Sequence, residues 1–200
     1  MTAMNTPYEQ IRADHDDETL VVYQAYPPQI ADEALRLGTF GPSFSCSRIT
    51  WIKPSFRWML YRCGWSAKPG QERVLAVQIR RDGFEWALRN SGLSHYDAAL
   101  HTDRVAWEAT RHRPVRLQWD PERDPRLHPL NHRSLQISIS GDAVTRYCDQ
   151  WISAIDDATD LARDRRPRHR RPSRRRGSAA PAGTALPGAR RHRRDHRQHA

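Results

Sequence analysis

The stretch Arg48-Ile-Thr-Trp-Ile-Lys-Pro-Ser-Phe-Arg-Trp-Met-Leu-Tyr-Arg62 holds the densest mixture of cations and aromatic rings in the chain. Arg48, Arg57 and Arg62 carry planar guanidinium groups suited to bidentate, charge-assisted hydrogen bonds with a phosphate or carboxylate. Lys53 and Ser55 stand where a helix should begin, and the free backbone N–H groups and dipole of a helix start favour an anion. Trp51 or Trp58 could supply a stacking face for a base or ring. Together these residue types describe an anion clamp beside an aromatic surface. They also describe an ordinary core helix with a solvated basic side. Lys53 favours the clamp, because the chain has only two lysines among its 33 basic residues.

A second cluster, Gln118-Trp-Asp-Pro-Glu-Arg-Asp124, supplies carboxylates. Pro121 is expected to end the strand before it, leaving Asp120, Glu122 and Asp124 on a loop at the strand's edge. Asp120 and Glu122 are the candidates for acid–base work or cation binding, and pairing with Arg123 or Arg126 is the plainer alternative. The third cluster combines Arg133 and Gln136 with Tyr23 and Gln24, polar residues alternating with core positions. Buried glutamines and tyrosines need partners, so a polar crevice and a water-filled structural network are both consistent with them. The substrate-binding set is therefore Tyr23, Gln24, Arg48, Trp51, Lys53, Ser55, Arg62, Arg133 and Gln136.

Other chemistries find little support. His128 and His132 have helical metal-ligand spacing, but Pro129 lies between them and no third ligand is evident, so no metal site is expected. Cys46, Cys63 and Cys148 show no Cys-x-x-Cys spacing, and none has a recognisable base beside it. The phosphate-binding P-loop, the Gly-rich dinucleotide turn, G-x-S-x-G and H-E-x-x-H are all missing.

The elements that must position these residues follow from apolar periodicity. Thr19–Ala25 is β-branched and aromatic, hence a strand. Ile30–Leu37 reads as a short helix closed by Gly38. Lys53-Pro54-Ser55 opens a second helix, with Phe56, Met59, Leu60 and Cys63 on one face and Gly64 as its stop. Val74–Ile79 is a buried strand, and Asp82 is placed to cap a helix carrying Phe84, Ala87 and Leu88. Residues 92–113 read as a partly helical excursion. Val115–Trp119 and Leu135–Ile139 alternate as strands. Ser140 should cap a long helix whose stripe runs through Val144, Tyr147, Cys148, Trp151, Ile152 and Ile155. The expected class is α+β, a single compact domain of one mixed sheet with packed helices.

Composition divides the chain in two. The formal charge of +10 suggests nucleic acid at first sight. Residues 163–200, however, contain 14 arginines and two acids, while the remainder nets −2. All 7 Trp, 6 Tyr and 4 Phe precede residue 152. The expected organisation is an N-terminal segment 1–18, a folded domain 19–162 and a disordered basic tail 163–200. Arg, Ala, Pro and Gly dominate that tail, as a shifted reading frame in a G+C-rich gene would produce. An evolved polycationic arm that binds nucleic acid non-specifically is the competing reading. No apolar run approaches the roughly 18 residues a membrane span needs, and no secretory signal is visible at the N-terminus. A cytoplasmic protein without membrane attachment is expected.

Several of these segments are together similar to one family. Val22-Tyr-Gln-Ala-Tyr26, Arg48–Phe56 with W-I-K-P-S-F, Trp58–Arg62 with Gly64-Trp65, and Gln71–Leu75 resemble the family called domain of unknown function 4291. So do Gly83–Trp86, Gln118–Asp124 with Q-W-D-P-E-R-D, and Arg133–Gln136. The resemblance runs in order from about Ile11 to Thr159 and implies the domain without implying an activity, since the family carries no established one. Similar chains continue with a further helix and an acidic segment where this one has its arginine tail. The order strand–helix–basic segment–strands also looks loosely like the ADP-ribosyltransferase architecture, which would imply NAD as cofactor; without that analogy the cofactor is unknown. The functional expectation is an enzyme acting on a nucleotide, a phosphorylated small molecule or a nucleic-acid end. A non-catalytic phosphate-ligand or RNA-binding module, and an inactive copy whose tail binds polyanions, are the alternatives.

Overall fold

The computed structural model describes residues 6–166. The segment beyond, to which most of the expectations about a basic tail apply, lies outside the described residues.

Two sheets share the chain. The first orders as β1–β3–β7 and is antiparallel throughout, from β1 (Thr19–Tyr26), β3 (Arg73–Arg80) and β7 (Ile152–Asp157). The second orders as β2–β6–β5–β4, from β2 (Thr50–Ile52), β4 (Ser91–Leu93), β5 (Val115–Arg123) and β6 (Pro129–Ile139). Only the β4–β5 pair in it is parallel. The α+β class stands, with two sheets where one was expected. Val22, Val77 and Ile79 of the first sheet and Ile52, Val115, Ile137 and Ile139 of the second are fully buried in one core. Burial of such β-branched side chains is the main favourable contribution to folding here.

Helix α1 (Pro28–Leu37) ends on Gly38 in the left-handed region, the expected stop. Helix α2 (Phe56–Cys63) buries Trp58, Met59, Leu60 and Cys63, the predicted face shifted to include a tryptophan. In α3 (Arg81–Arg89) Asp82 lies in the first turn and pairs with Arg80 rather than capping. The excursion forms β4, a short helix α4 (Arg104–Ala109) and a 3₁₀ turn at Thr110–His112.

Two larger expectations also fail, each for a physical reason. The strand before the acidic cluster does not stop at Pro121, because β5 runs on to Arg123. Its pairing with β6 shifts between Pro121 and Arg123, and a register irregularity is where a sheet tolerates a residue lacking N–H. The long C-terminal helix also breaks. Helix α5 (Asp142–Arg146) passes into a π-helical turn at Tyr147–Trp151, and Ile152–Asp157 leaves it as β7. Pairing with β3 uses that strand's second edge, and Ile155 is buried from a strand instead of a helix. Ser140 does not cap α5; its hydroxyl donates to the Pro114 carbonyl at 3.0 Å, and Gly141 is the N-cap. A further short helix, α6 (Thr159–Asp164), packs Ala162 against Met59, Leu60 and Cys63.

Candidate functional site

The two sheets meet where the chain leaves β2. The Tyr23 N–H donates to the Lys53 carbonyl at 2.8 Å, a single bridge from β1 to the residue just past β2. Ser55 then caps α2, its hydroxyl accepting the Trp58 N–H at 3.2 Å. This fixes the phase of the helix, so that Trp58, Tyr61 and Arg62, at i, i+3 and i+4, turn towards the seam. From the opposite sheet, alternation along β5 brings up Gln118 and Asp120, and Gln136 of β6 stands beside them. The loop between α1 and β2 adds Phe44, Ser45 and Arg48. These groups line a cleft of about 650 Å³, a size that accommodates a small-molecule ligand.

Lys53 lies at the base of this cleft with 7% of its surface exposed. Among the described residues its ammonium has one hydrogen bond, to the Trp51 carbonyl at 3.3 Å. Burial pushes its pKa down to about 7, the Arg62 guanidinium pushes the same way, and Cys63 and Asp120 oppose them. Desolvation disfavours the charged amine, so this side chain changes protonation near neutral pH. A buried group shifted in this way inside a cleft is a recognised mark of functional sites.

Asp120 is held by two amides. Gln118 Nε2 donates to its Oδ1 at 3.0 Å and Gln136 Nε2 to its Oδ2 at 2.7 Å. Gln24, fully buried, ties the cleft to the π-helical turn: it accepts the Tyr147 hydroxyl at 2.6 Å and donates to the Tyr26 hydroxyl at 2.7 Å. Arg123 stacks over Tyr61 at 3.7 Å and lies 5.3 Å from the Trp58 ring centroid. Its Nε and the Trp58 Nε1 are buried without a hydrogen-bond partner among the described residues. Arg48, Lys53, Arg62 and Arg123 face a single lining carboxylate, Asp120, a formal balance of +3. Among the described residues none of these four cations makes an ion pair.

Of the residues singled out from sequence, Gln24, Arg48, Trp51, Lys53, Trp58, Arg62, Asp120 and Gln136 line this one cleft. The basic and acidic clusters thus converge. Four others are placed elsewhere. The Ser55 hydroxyl is occupied by its cap, and the Tyr23 ring packs on Phe56 at 4.9 Å. Glu122 is buried, with Oε1 accepting the N–H of Arg123, and it does not line the cleft. Arg133 is engaged by the N-terminal segment, its Nε donating to the Tyr8 hydroxyl at 2.7 Å. Among the described residues no group of three His, Cys, Asp or Glu side chains could hold a metal ion.

Arg123, Tyr61, Gln71 and Gln118 line the cleft without having been singled out. Tyr61 and Gln118 were within reach of periodicity, being i+3 to Trp58 on a short helix and i−2 to Asp120 on a strand. Arg123 was not, because the register shift after Pro121 re-aims it onto α2.

A single α+β domain with a cation-lined cleft at the seam of two sheets is the class of protein these features define. The chain belongs to the family described as domain of unknown function (DUF4291), whose model matches residues 10–182. That match continues past Thr159, into the arginine-rich stretch. No curated protein matches the chain. No helix among the described residues is long and apolar enough to cross a membrane.

Proposed function

We propose that the cleft binds a phosphate-bearing ligand, a nucleotide or a nucleic-acid end, and that the domain is an enzyme acting on it. One observation carries the reading: Lys53 is buried at the base of the cleft beside Arg62 with a single hydrogen bond and no ion pair among the described residues. Burying a cation without a direct ion-pair partner is costly, and a bound anion would offset that cost. Arg48 supplies a further donor on the same walls. Trp51 and Tyr61 offer ring surface.

The catalytic half of the proposal rests on Lys53 and Asp120. An amine that titrates near pH 7 can bind an anion in one state and accept a proton in the other, and a neighbouring carboxylate gives proton transfer a second station. Glu122, folded back on its own backbone, has no part in this.

The test is thermal denaturation against a panel of mono- and dinucleotides, NAD included, with and without Mg²⁺, for the natural chain and Lys53→Ala. Ligands that raise the melting temperature of the natural chain by several degrees and leave the variant's unchanged are expected. Product formation from any such ligand would establish an enzyme, and binding without turnover would identify a non-catalytic module. A panel with no stabilising member would remove the proposal.

A further inference from the structure

We infer that the ligand of this cleft is a phosphate ester carrying hydroxyl groups, a phosphorylated sugar or nucleotide, and that Asp120 recognises it through one of those hydroxyls. The inference rests on the phosphate reading above and adds the second half of the ligand. A site built for phosphate alone has no use for a carboxylate, because like charges repel and weaken binding. Asp120 nevertheless stands in the same cleft as Arg48, Lys53 and Arg62. Its charge favours the Lys53 ammonium, yet among the described residues it forms no ion pair with any of these cations.

Its partners are the two amides of Gln118 and Gln136, one on each oxygen. Each carboxylate oxygen offers two lone-pair directions, so two remain for a ligand. A carboxylate only accepts, so the group it meets must be a donor. The surroundings narrow that donor. A ligand ammonium would face repulsion from the four lining cations, whereas a hydroxyl donates without bringing charge. The two glutamines hold Asp120 from opposite oxygens, which fixes the carboxylate plane before the ligand arrives. Pre-organisation of this kind favours one donor geometry over others.

The experiment compares ribose 5-phosphate with tetrahydrofurfuryl phosphate, the same ring and phosphate without the hydroxyls, by calorimetric titration of the full chain. The natural protein should bind ribose 5-phosphate at least about tenfold more tightly, the scale of a hydrogen bond to a charged group. In Asp120→Asn that preference should shrink to within about twofold. The same variant should bind tetrahydrofurfuryl phosphate as well as the natural chain or better, because a repelling charge has gone. No preference in the natural chain, or a preference that Asp120→Asn leaves intact, would overturn the inference while leaving the phosphate site standing. If neither ester binds, the phosphate reading itself falls and this inference with it.

Discussion

At the level of single residues, Lys53 links the stability of the domain to the behaviour of its cleft. Its amine loses its proton near pH 7 in the folded state and near the ordinary 10.5 when unfolded. Between those values the unfolded chain binds more protons, so the stability contributed through this group rises with pH across that window. Below about 7 both states are protonated and the full penalty of burying the charge is present. Lys53→Met should therefore stabilise the protein most at pH 6, with the advantage fading as pH approaches 10. Urea midpoints of parent and variant over that range check it; a constant difference would place the Lys53 titration elsewhere. Tyr147 makes a second residue-level case. Tyr147→Phe strands the buried Gln24 carbonyl, which now accepts that hydroxyl at 2.6 Å. A loss of about 1–3 kcal/mol in unfolding free energy is expected.

Among the elements, α3 and the π-helical turn approach each other closely at Gly83 and Trp151. A Cβ on Gly83 would collide with the Trp151 indole. Gly83→Ala should lower stability by about 1–3 kcal/mol through overpacking, even though alanine favours a helix over glycine by about 1 kcal/mol. Thermal or urea unfolding decides between those opposite signs. The same region shows where local pattern stops being informative. Strand β1 and helices α1 and α2 were legible because turn residues bound them: Pro27-Pro28 and Gly38 for one, Ser55 and Gly64 for the other. The run from Val144 to Ile155 has no such punctuation. Ile152 and Ile155 fit the helical stripe, yet the open edge of β3 claims them as a strand, and nothing local announces that edge. Pro121 misled in the opposite way, since a sheet can accommodate proline where its register slips. The cleft was legible as residue types, Arg48, Lys53, Arg62, Asp120 and Gln136. The exclusion of Glu122 and Arg133 was not, because it follows from the β5–β6 pairing and from the N-terminal segment reaching Arg133.

For the whole molecule, the charge of +10 is two numbers: residues 1–162 net −2 and residues 163–200 net +12. The cleft's cations therefore belong to a near-neutral domain and should act at short range. Binding of a small phosphate ligand by a chain ending at residue 166 should match the full chain within about twofold at 150 mM salt. Polynucleotide binding by the full chain should instead fall steeply with salt, as counterion release requires, and the truncation should remove most of that salt dependence. Filter binding at several salt concentrations checks both, and polynucleotide affinity that survives the truncation would assign it to the domain.

The most direct measurement is calorimetric titration of inorganic pyrophosphate into the full chain and into Lys53→Met and Arg62→Ala at pH 6.5. Saturable one-to-one binding by the natural chain, weakened about tenfold or more in each variant, is the predicted result. Binding of equal strength in all three proteins, or none in the natural chain, would contradict the assignment of this cleft as an anion site.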